Sequence, residues 1–548
     1  MAVVAVVACS QSTPPADPIA TGAQGPFVDV SPSWGVTRPH EGGGPEKRYI
    51  VEAKGGGAAL LDAEGDGDLD IYWVNGAQLE DPGRGAGNAL YRNDGESGFT
   101  DVAPAQGVTG YGWGMGALSA DYDNDGDADL YVTCLQQNIL YRNDGQRGFA
   151  DVTAQAGVPV PVWSTGAAMG DGDLDGDLDL YVANYVDFQS EAIRPLGAQW
   201  KGKDVFIGPL SLPALPDQFY RNNGDGTFTE IAAASGLGQE DPGYGFGVLF
   251  ADIDSDGDAD LYIANDSTPN FLYRNNGDGT FVEMGLRANV AFNEMGLAQA
   301  GMGAALGDYD NDGAPDLFVT NFEDDYNTLY RNQGNGTFKD MSSDVGLAST
   351  SLPFVGFGTV FIDYDNDTDL DLFVANGHVY PQIEVTGSAT TYGQANHLYD
   401  NDNGLFTLVW PASGAIRTGA VSRGVVAGDF DNDGRLDLFV TNLNQRPTLW
   451  RNVVGGQHNW LGLRLVGKAA NRQGVGARVY LWSGGQQQRR DVLCGDSFLS
   501  SSDRRLHFGL GGATAVDSLH IYWPGGDLQR LKDLPVNAYS VVVEGEGR

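Results

Sequence analysis

The chain has 548 residues, with 73 Asp and Glu against 32 Lys and Arg, for a formal net charge of −41. That balance excludes nucleic acid and anionic membrane surfaces as partners, because both would repel it. Hydrophobic residues at 41% suffice for a folded core, 79 glycines fit a turn-rich all-β chain, and no run approaches the ~20 apolar residues of a spanning helix.

At the N-terminus, residues 2–8 are apolar and lead directly into Cys9-Ser10. Val6-Val7-Ala8-Cys9 resembles a bacterial lipobox, which would make Cys9 the acylated first residue of an outer-membrane lipoprotein, its only tie to a membrane. Another export signal or a truncated leader are the alternatives, since no basic stretch precedes the apolar run. Ser10 to Gly25 is rich in Ser, Pro and Gly and reads as a linker. Residues 1–25 are therefore set apart as leader and linker, 26–455 as a repeat domain and 456–548 as a second domain.

Within 26–455 the pattern Asp-x-Asp-x-Asp-Gly-x-x-Asp returns seven times, each copy followed by an apolar run such as Leu130-Tyr131-Val132. Positions 1, 3, 5 and 9 are Asp62, Glu64, Asp66 and Asp70, then Asp121, Asp123, Asp125 and Asp129, then Asp171, Asp173, Asp175 and Asp179. The fourth copy supplies Asp252, Asp254, Asp256 and Asp260, and the fifth Asp308, Asp310, Asp312 and Asp316. Asp363, Asp365, Asp367 and Asp371, and finally Asp429, Asp431, Asp433 and Asp437, complete the set. Oxygen donors so spaced, with a backbone carbonyl at position 7 and a turn glycine at position 6, suit a hard cation of calcium's size. Two carboxylates about 4 Å apart repel by roughly 4 kcal/mol at an effective dielectric near 20, so four in one loop call for a divalent ion. Up to seven Ca²⁺ are expected, raising the formal charge from −41 to −27. Thr368 stands where the sixth copy needs glycine, which predicts a strained or weaker site.

The spacing excludes an EF-hand, which needs a bidentate acid at position 12, where the second copy has Val132. The uneven intervals between copies also exclude a nine-residue β-roll. A short loop joining two strands of one sheet remains. Each copy is preceded, five residues upstream, by a glycine: Gly57, Gly116, Gly166, Gly247, Gly303, Gly358 and Gly424. A glycine fixed in a strand predicts close approach of another backbone, as among inner strands around a propeller channel. Segments such as Leu140-Tyr141-Arg142-Asn143 and Phe228-Thr229-Glu230-Ile231 then read as third and fourth strands. Leu449-Trp450-Arg451-Asn452 lacks a fourth strand after it, and Phe27-Val28-Asp29-Val30 lacks a third strand before it. Pairing the two would close a seven-bladed β-propeller and leave no open sheet edge.

Beyond Asn452 the repeat stops, and alternating stretches such as Ala477-Arg478-Val479-Tyr480-Leu481 and Leu519-His520-Ile521-Tyr522-Trp523 predict a small β-sandwich. The acidic loops resemble the calcium hairpins of integrin-type FG-GAP, or VCBS, repeats. Asn459-Trp460-Leu461, Gly474-Val475-Gly476-Ala477-Arg478-Val479, His507-Phe508-Gly509-Leu510-Gly511 and Trp523-Pro524-Gly525-Gly526 resemble the ASPIC/UnbV domain of the cartilage acidic protein family. The resemblance implies a secreted or surface protein engaged in calcium binding and extracellular contact. Similar family segments place Cys near positions where this chain has Ala198 and Ile207, so the long insertion in the third repeat has no such disulfide to order it. Cys134 and Cys494 read as two buried free thiols rather than a disulfide.

No His-Glu-x-x-His, Gly-x-Ser-x-Gly or phosphate-cradling loop occurs, and the histidines are scattered; His378 could face the channel but reads as structural. The expectation is a non-catalytic, exported protein, extracellular or at the cell surface, whose calcium-stiffened propeller face and C-terminal sandwich meet a protein or a glycan. Two alternatives stay open. One is a calcium-dependent lectin using exposed Trp and Tyr near the loops, and the other is a polysaccharide hydrolase or lyase. Extracellular calcium modules bind at about 10⁻⁴–10⁻³ M, which fits export.

Overall fold

The computed structural model describes residues 25–79, 81, 85, 87–189, 192–385, 390–411, 419–454 and 456–546. Cys9 and the remaining leader lie outside the described residues. Each repeat folds as a four-stranded antiparallel sheet, seven in all. In blade 2 the strands are Gly114–Ala120, Asp129–Cys134, Ile139–Asn143 and Phe149–Asp151. The second strand is buried on both faces, with Leu130, Tyr131 and Val132 at most 1% exposed, because a neighbouring blade packs on either side.

The first strands of the blades lie one against the next in chain order. Ser422–Gly428 of blade 7 lies against both Gly356–Ile362 of blade 6 and Ala58–Leu61 of blade 1, which closes the circle. The N-terminal strand Phe27–Asp29 completes blade 7, with Phe27 opposite Asn452 and Asp29 opposite Trp450. Joining the two ends of the repeat in one sheet satisfies both edges at once.

The upstream glycines sit where backbones crowd. A Cβ on Gly166 would overlap the Phe246 carbonyl, and one on Gly303 the Phe357 carbonyl, both on the next blade. In blades 2, 3, 4, 6 and 7 the strand also bulges around this glycine. At Gly57 and Gly424, however, the approaching backbone is Phe498–Ser500, from the C-terminal domain.

That segment occupies the axis of the ring. Met169 of blade 3 donates to the Cys494 carbonyl (3.0 Å), and Ala304 of blade 5 exchanges backbone hydrogen bonds with Ser497 (3.0 and 2.8 Å). Thr359 of blade 6 donates to Ser497 Oγ (3.0 Å), and Ala117 of blade 2 to the Leu499 carbonyl (3.1 Å). Ser501 bonds to blade 1 through Ala58 and Leu60 (both 2.9 Å), and Asp503 to Ala427 of blade 7 (3.1 Å). Phe498, fully buried, meets Phe246 of blade 4 at 5.3 Å and Phe357 of blade 6 at 4.9 Å between ring centroids. All seven blades thus touch one short loop. It satisfies inner-strand groups that would otherwise line an empty channel.

The opposite end of the axis is closed by the turn Ile50–Ala53 and by fully buried Arg423, whose guanidinium donates to Ala53 O and Gly377 O (2.7–2.9 Å). His378 lies here, buried, with Nδ1 accepting from Tyr380 N (2.9 Å) and Nε2 3.2 Å from Glu323, so its role is structural. The third-repeat insertion is ordered without a disulfide as the hairpin Ala198–Trp200 and Lys203–Val205. Trp200 Nε1 donates to Glu323 (2.8 Å), and Phe206 packs on Tyr380 at 4.7 Å. Cys134 and Cys494 are buried free thiols, as expected, and burial pushes them up to about 12 and about 11.

In the C-terminal domain, Asn459–Val466 pairs antiparallel with Leu506–Gly511 and parallel with Tyr539–Val543. Facing this sheet, Arg478–Ser483 lies between Gln486–Asp491 and Ser518–Tyr522, with Leu528–Leu531 at the edge. Leu461, Leu463, Val479, Leu481, Phe508 and Ile521 fill the space between them with no exposure. This is the sandwich that the alternation predicts.

Candidate cation centres

Each acidic loop joins the first and second strands of its blade and is shaped by two left-handed residues. Position 6 takes a positive φ in every copy, from +83° at Gly434 to +111° at Gly257, and Thr368 is forced to +100°. Position 4 does the same as Gly65, Asn124, Leu174, Ser255, Asn311, Asn366 and Asn432. Asn at four of these positions and Gly at a fifth is the sequence signal of this second left-handed residue.

These turns aim backbone N–H groups at the first carboxylate. Asp121 accepts from Asp125 N and Gly126 N (both 3.0 Å), and Asp171, Asp308 and Asp429 are held alike. Position 5 folds back on position 7, as Asp125 Oδ1 accepts from Asp127 N (2.9 Å).

Position 9 has a second role that the spacing does not show. One oxygen accepts the N–H of position 2, and the other accepts the N–H of the Asn that ends the third strand. For Asp129 the donors are Tyr122 (3.1 Å) and Asn143 (2.7 Å), and for Asp371 they are Tyr364 (3.2 Å) and Asn401 (2.8 Å). The same pair of bonds recurs at Asp70, Asp179, Asp260, Asp316 and Asp437. The Asn side chain then donates to the position-2 carbonyl of the preceding blade's loop. Asn143 reaches Ala63, Asn222 reaches Tyr122, Asn275 reaches Gly172, Asn332 reaches Ile253, Asn401 reaches Tyr309 and Asn452 reaches Tyr364. Asn93 closes the cycle onto Phe430 of blade 7. Seven amides so link seven loops into a belt. The terminal Asn of Leu-Tyr-Arg-Asn was visible seven times in sequence, but a strand end gives no hint of its acceptor.

The carboxylates converge as predicted in several loops. Oxygens of Asp121, Asp123 and Asp129 lie within 4.8 Å of one another, as do those of Asp252, Asp254 and Asp260, of Asp308, Asp310 and Asp316, and of Asp363, Asp365 and Asp371. In blade 3 the trio is Asp171, Asp173 and Asp175. Burial, with help from neighbouring carboxylates, pushes these acids up when no cation is present. Asp171, Asp308, Asp363 and Asp429 rise to about 7, Asp179 to about 8 and Asp70 to about 9.

Whether a hard cation fits is decided by orphaned oxygens. Asp123 Oδ1, Asp173 Oδ1 and Asp365 Oδ1, all at position 3, are buried without a hydrogen-bond donor, and so is Asp252 Oδ1. A buried carboxylate oxygen lacking a partner is costly, and all-oxygen donors match Ca²⁺. In blades 2, 3 and 6 no basic side chain comes within ion-pair distance of these loops among the described residues. Elsewhere a guanidinium intervenes. Arg331 bonds Asp310 and Asp312 in blade 5, and in blade 7 Arg451 pairs with Asp431 (2.6 Å) while Arg435 pairs with Asp433. Arg92 stands 3.7 Å from Glu64 in blade 1, and Arg478 stands 3.0 Å from Asp252 in blade 4. Arg331, Arg451 and Arg92 are the Arg of Leu-Tyr-Arg-Asn; the equivalent Arg274 stands 4.0 Å from Asp254 at position 3 of blade 4, Arg142 and Arg221 act on Asp123 and Asp173 from farther off, and blade 6 has Asp400 there instead.

The C-terminal domain lies over this loop face, which modifies the expectation of a loop surface free to meet a partner. Gln473 accepts from Asp121 N (3.0 Å), Arg489 donates to Asp252 O (3.0 Å), Gly511 to Asn366 O (2.8 Å) and Tyr539 to Asp429 Oδ2 (2.9 Å). Among the described residues the loop of blade 1 makes no hydrogen bond to that domain, and Glu64 to Gly67 are exposed.

Comparison with known proteins agrees with these two parts. The FG-GAP-like repeat family matches residues 62–132, 203–263, 252–319, 308–374 and 385–440, and the ASPIC and UnbV family matches residues 467–548. Cartilage acidic protein 1 of Homo sapiens is 28% identical over 335 residues, covering 59% of this chain and 47% of that protein. Its Xenopus tropicalis counterpart is 27% identical over 332 residues, covering 59% and 48%. The chain spans about half the length of these relatives. Among solved structures, an Agrocybe aegerita lectin that recognises non-reducing terminal N-acetylglucosamine aligns over 72% of this chain and 86% of its own, at 18% identity and a TM-score of 0.36. No helix among the described residues is long and apolar enough to cross a membrane.

Proposed function

Because the chain belongs to the FG-GAP-like repeat family and carries an ASPIC and UnbV domain, we propose that it is an exported, non-catalytic calcium-binding protein that recognises a protein or glycan at a cell surface. The observation that carries this reading is the set of buried, donor-free carboxylate oxygens at Asp123, Asp173 and Asp365, in loops where Arg142, Arg221 and Arg490 act only from beyond ion-pair distance. Ca²⁺ bound there would be held by positions 1, 3, 5 and 9 and would supply positive charge, and it would leave these acids deprotonated. The position-9 carboxylate already ties two strands together, and the Asn belt ties each loop to the next. Filling a loop therefore stiffens the ring as a whole. The loops supply rigidity, and recognition falls to the surfaces that they hold in place.

A non-catalytic role agrees with the chemistry of these acids. Except at Asp252, both oxygens at positions 1 and 9 accept backbone N–H bonds, so they are fixed in place and poorly suited to shuttle protons. The cartilage acidic protein relatives support export. Calcium titration calorimetry, paired with thermal melts before and after chelation, tests the proposal. Binding at about 10⁻⁴–10⁻³ M or tighter, with a higher melting temperature in calcium, is expected. Equal melting with and without chelator would overturn it.

A further inference from the structure

We propose that the open cleft on the outer face of the C-terminal four-stranded sheet is a binding site for a neutral pyranoside, one unit of a glycan. The proposal rests on the recognition role above and names its ligand class. Strand alternation is the starting point. On Arg478–Ser483 and Ser518–Tyr522, the residues Val479, Leu481, Leu519 and Ile521 point into the sandwich and are fully buried. The alternate positions on the solvent side should then be polar, yet they include Tyr480, Trp482, His520 and Tyr522. This row is half-buried: Tyr480 Oη donates to Gly313 O of the blade-5 loop (3.4 Å) and the Arg478 guanidinium lies over the Tyr522 ring (5.2 Å), whereas no such contact accounts for Trp482 among the described residues.

Their geometry is that of a floor and a wall. Tyr480 and Trp482 lie nearly parallel, 24° apart with centroids 6.2 Å apart, and Tyr522 stands edge-on to Tyr480 at 79° and 5.7 Å. With Arg478, Gln487 and Ser255 of the blade-4 loop they line a cleft of about 340 Å³, within the roughly 300–1,000 Å³ usual for ligand sites. Among the described residues Trp482 Nε1, Tyr522 Oη and the Gln487 amide have no hydrogen-bond partner in the protein. Flat apolar faces edged by free donors and acceptors match a pyranose ring, whose C–H faces stack while its hydroxyls bond around the rim.

Charge selects a neutral sugar. Arg478, the cation in the lining, is paired with Asp252 (3.0 Å) and so is already compensated. A peptide strand could not add beside Tyr480 and Trp482, because Arg478–Ser483 is paired on both sides and only Gln486–Asp491 and Leu528–Leu531 are edge strands.

The test uses the full chain in calcium, titrated with neutral methyl pyranosides and their linear oligosaccharides while tryptophan fluorescence and heat are followed. Saturable binding is expected. Trp482→Ala should weaken it by about tenfold or more, and Gln487→Ala by a smaller factor, with calcium stoichiometry and melting temperature unchanged in both. No binding by any saccharide, binding untouched by Trp482→Ala, or occupation of the cleft by a peptide or an anionic ligand instead would each overturn the proposal. Calcium binding is read in the same calorimeter. Its presence without saccharide binding would sink this proposal alone, and its absence would sink the calcium reading.

Discussion

The loops of blades 6 and 7 have the same four acids at the same positions and nearly the same backbone, yet the charges their own blades place around them differ in sign. In blade 7 the third strand contributes Arg451, 2.6 Å from Asp431, and position 7 contributes Arg435 beside Asp433. In blade 6 the residue equivalent to Arg451 is Asp400 and position 7 is Asp369, and Asp365 Oδ1 is left buried without a donor. One loop brings counter-charge from its own blade, and the other has two further acids there, with Arg490 of the C-terminal domain as the cation acting on Asp363. A motif of four acids therefore does not fix how strongly a loop needs an ion. The neighbours on the third strand and at position 7 decide it. The comparison also qualifies the expectation that Thr368 weakens the blade-6 site. The backbone strain is present, and the charge around it pulls the other way.

The largest expected effect comes from taking the ion away, because it acts on every loop that lacks a guanidinium at ion-pair distance. Several sites, each worth about 2.7 kcal/mol at a hundredfold excess over its dissociation constant, should lower the melting temperature on chelation by roughly 10 °C. The chelated protein should then depend on pH in a defined sense. Asp363 in blade 6 and Asp429 in blade 7 are both pushed up to about 7, chiefly by burial. A carboxyl with a folded-state pKa above its unfolded one contributes stability that is fully present below about pH 4 and is lost as pH rises through about 7. Without calcium, the unfolding free energy read by denaturant titration should therefore fall between pH 5 and pH 8, by on the order of a few kcal/mol. With calcium the acids stay deprotonated, and this fall should disappear. A chelated protein that gains stability over that range would break the assignment.

Next in size are the position-9 clamps, where the two blades should behave alike. Asp371→Asn and Asp437→Asn each turn one acceptor oxygen into a donor that faces a backbone N–H. Each should cost about 2–3 kcal/mol in urea unfolding, with or without calcium. A loss seen only in calcium would mean that the strand clamp contributes little.

Much of this was readable from residues in series. The seven loops, the crowded glycines and the closure of the ring by Phe27–Asp29 all follow from local spacing that repeats, so chance is averaged out. The axial segment Cys494–Asp503 was not readable. It occurs once, its composition is that of an ordinary Ser-rich turn, and its partners lie 70 to more than 400 residues away, at Ala427, Thr359, Ala304, Ala117 and Ala58. The counter-ion role of Arg331 and Arg451 was hidden for another reason. Side chains on a third strand reach loops of the same blade only once pairing sets the register, and sequence spacing alone does not give that register.

Position 3 should separate the two blades by stoichiometry more than by stability. Asp365→Asn is expected to remove one calcium from the calorimetric count, whereas Asp431→Asn should leave the count unchanged, because Arg451 and Arg435 already pair with positions 3 and 5 of that loop. The reciprocal exchange sharpens the comparison. Asp400→Arg should mimic blade 7 and cost one ion, and Arg451→Asp should give blade 7 the acidity of blade 6. Equal counts in all four variants would show that the third-strand residue does not govern occupancy.

The smallest expected effect is at Thr368. Its φ of +100° is a region that β-branched residues avoid, and its N–H reaches Asp363 Oδ2 at 3.2 Å, where the equivalent glycines of blades 2, 3, 4 and 5 stand at 3.0 Å. Glycine would remove the strain, which costs about 1–3 kcal/mol, and would add back about 0.5–1 kcal/mol of unfolded-state entropy. Thr368→Gly should therefore stabilise the protein by about 1 kcal/mol and tighten calcium at blade 6, read by urea unfolding and by calorimetry. Gly434→Thr, the mirror change in blade 7, should destabilise by a similar or larger amount, because Trp460 of the C-terminal domain packs directly against that glycine. If the two substitutions had the same sign, the strain would not lie in the backbone at position 6, and the weaker site expected from sequence would need another cause.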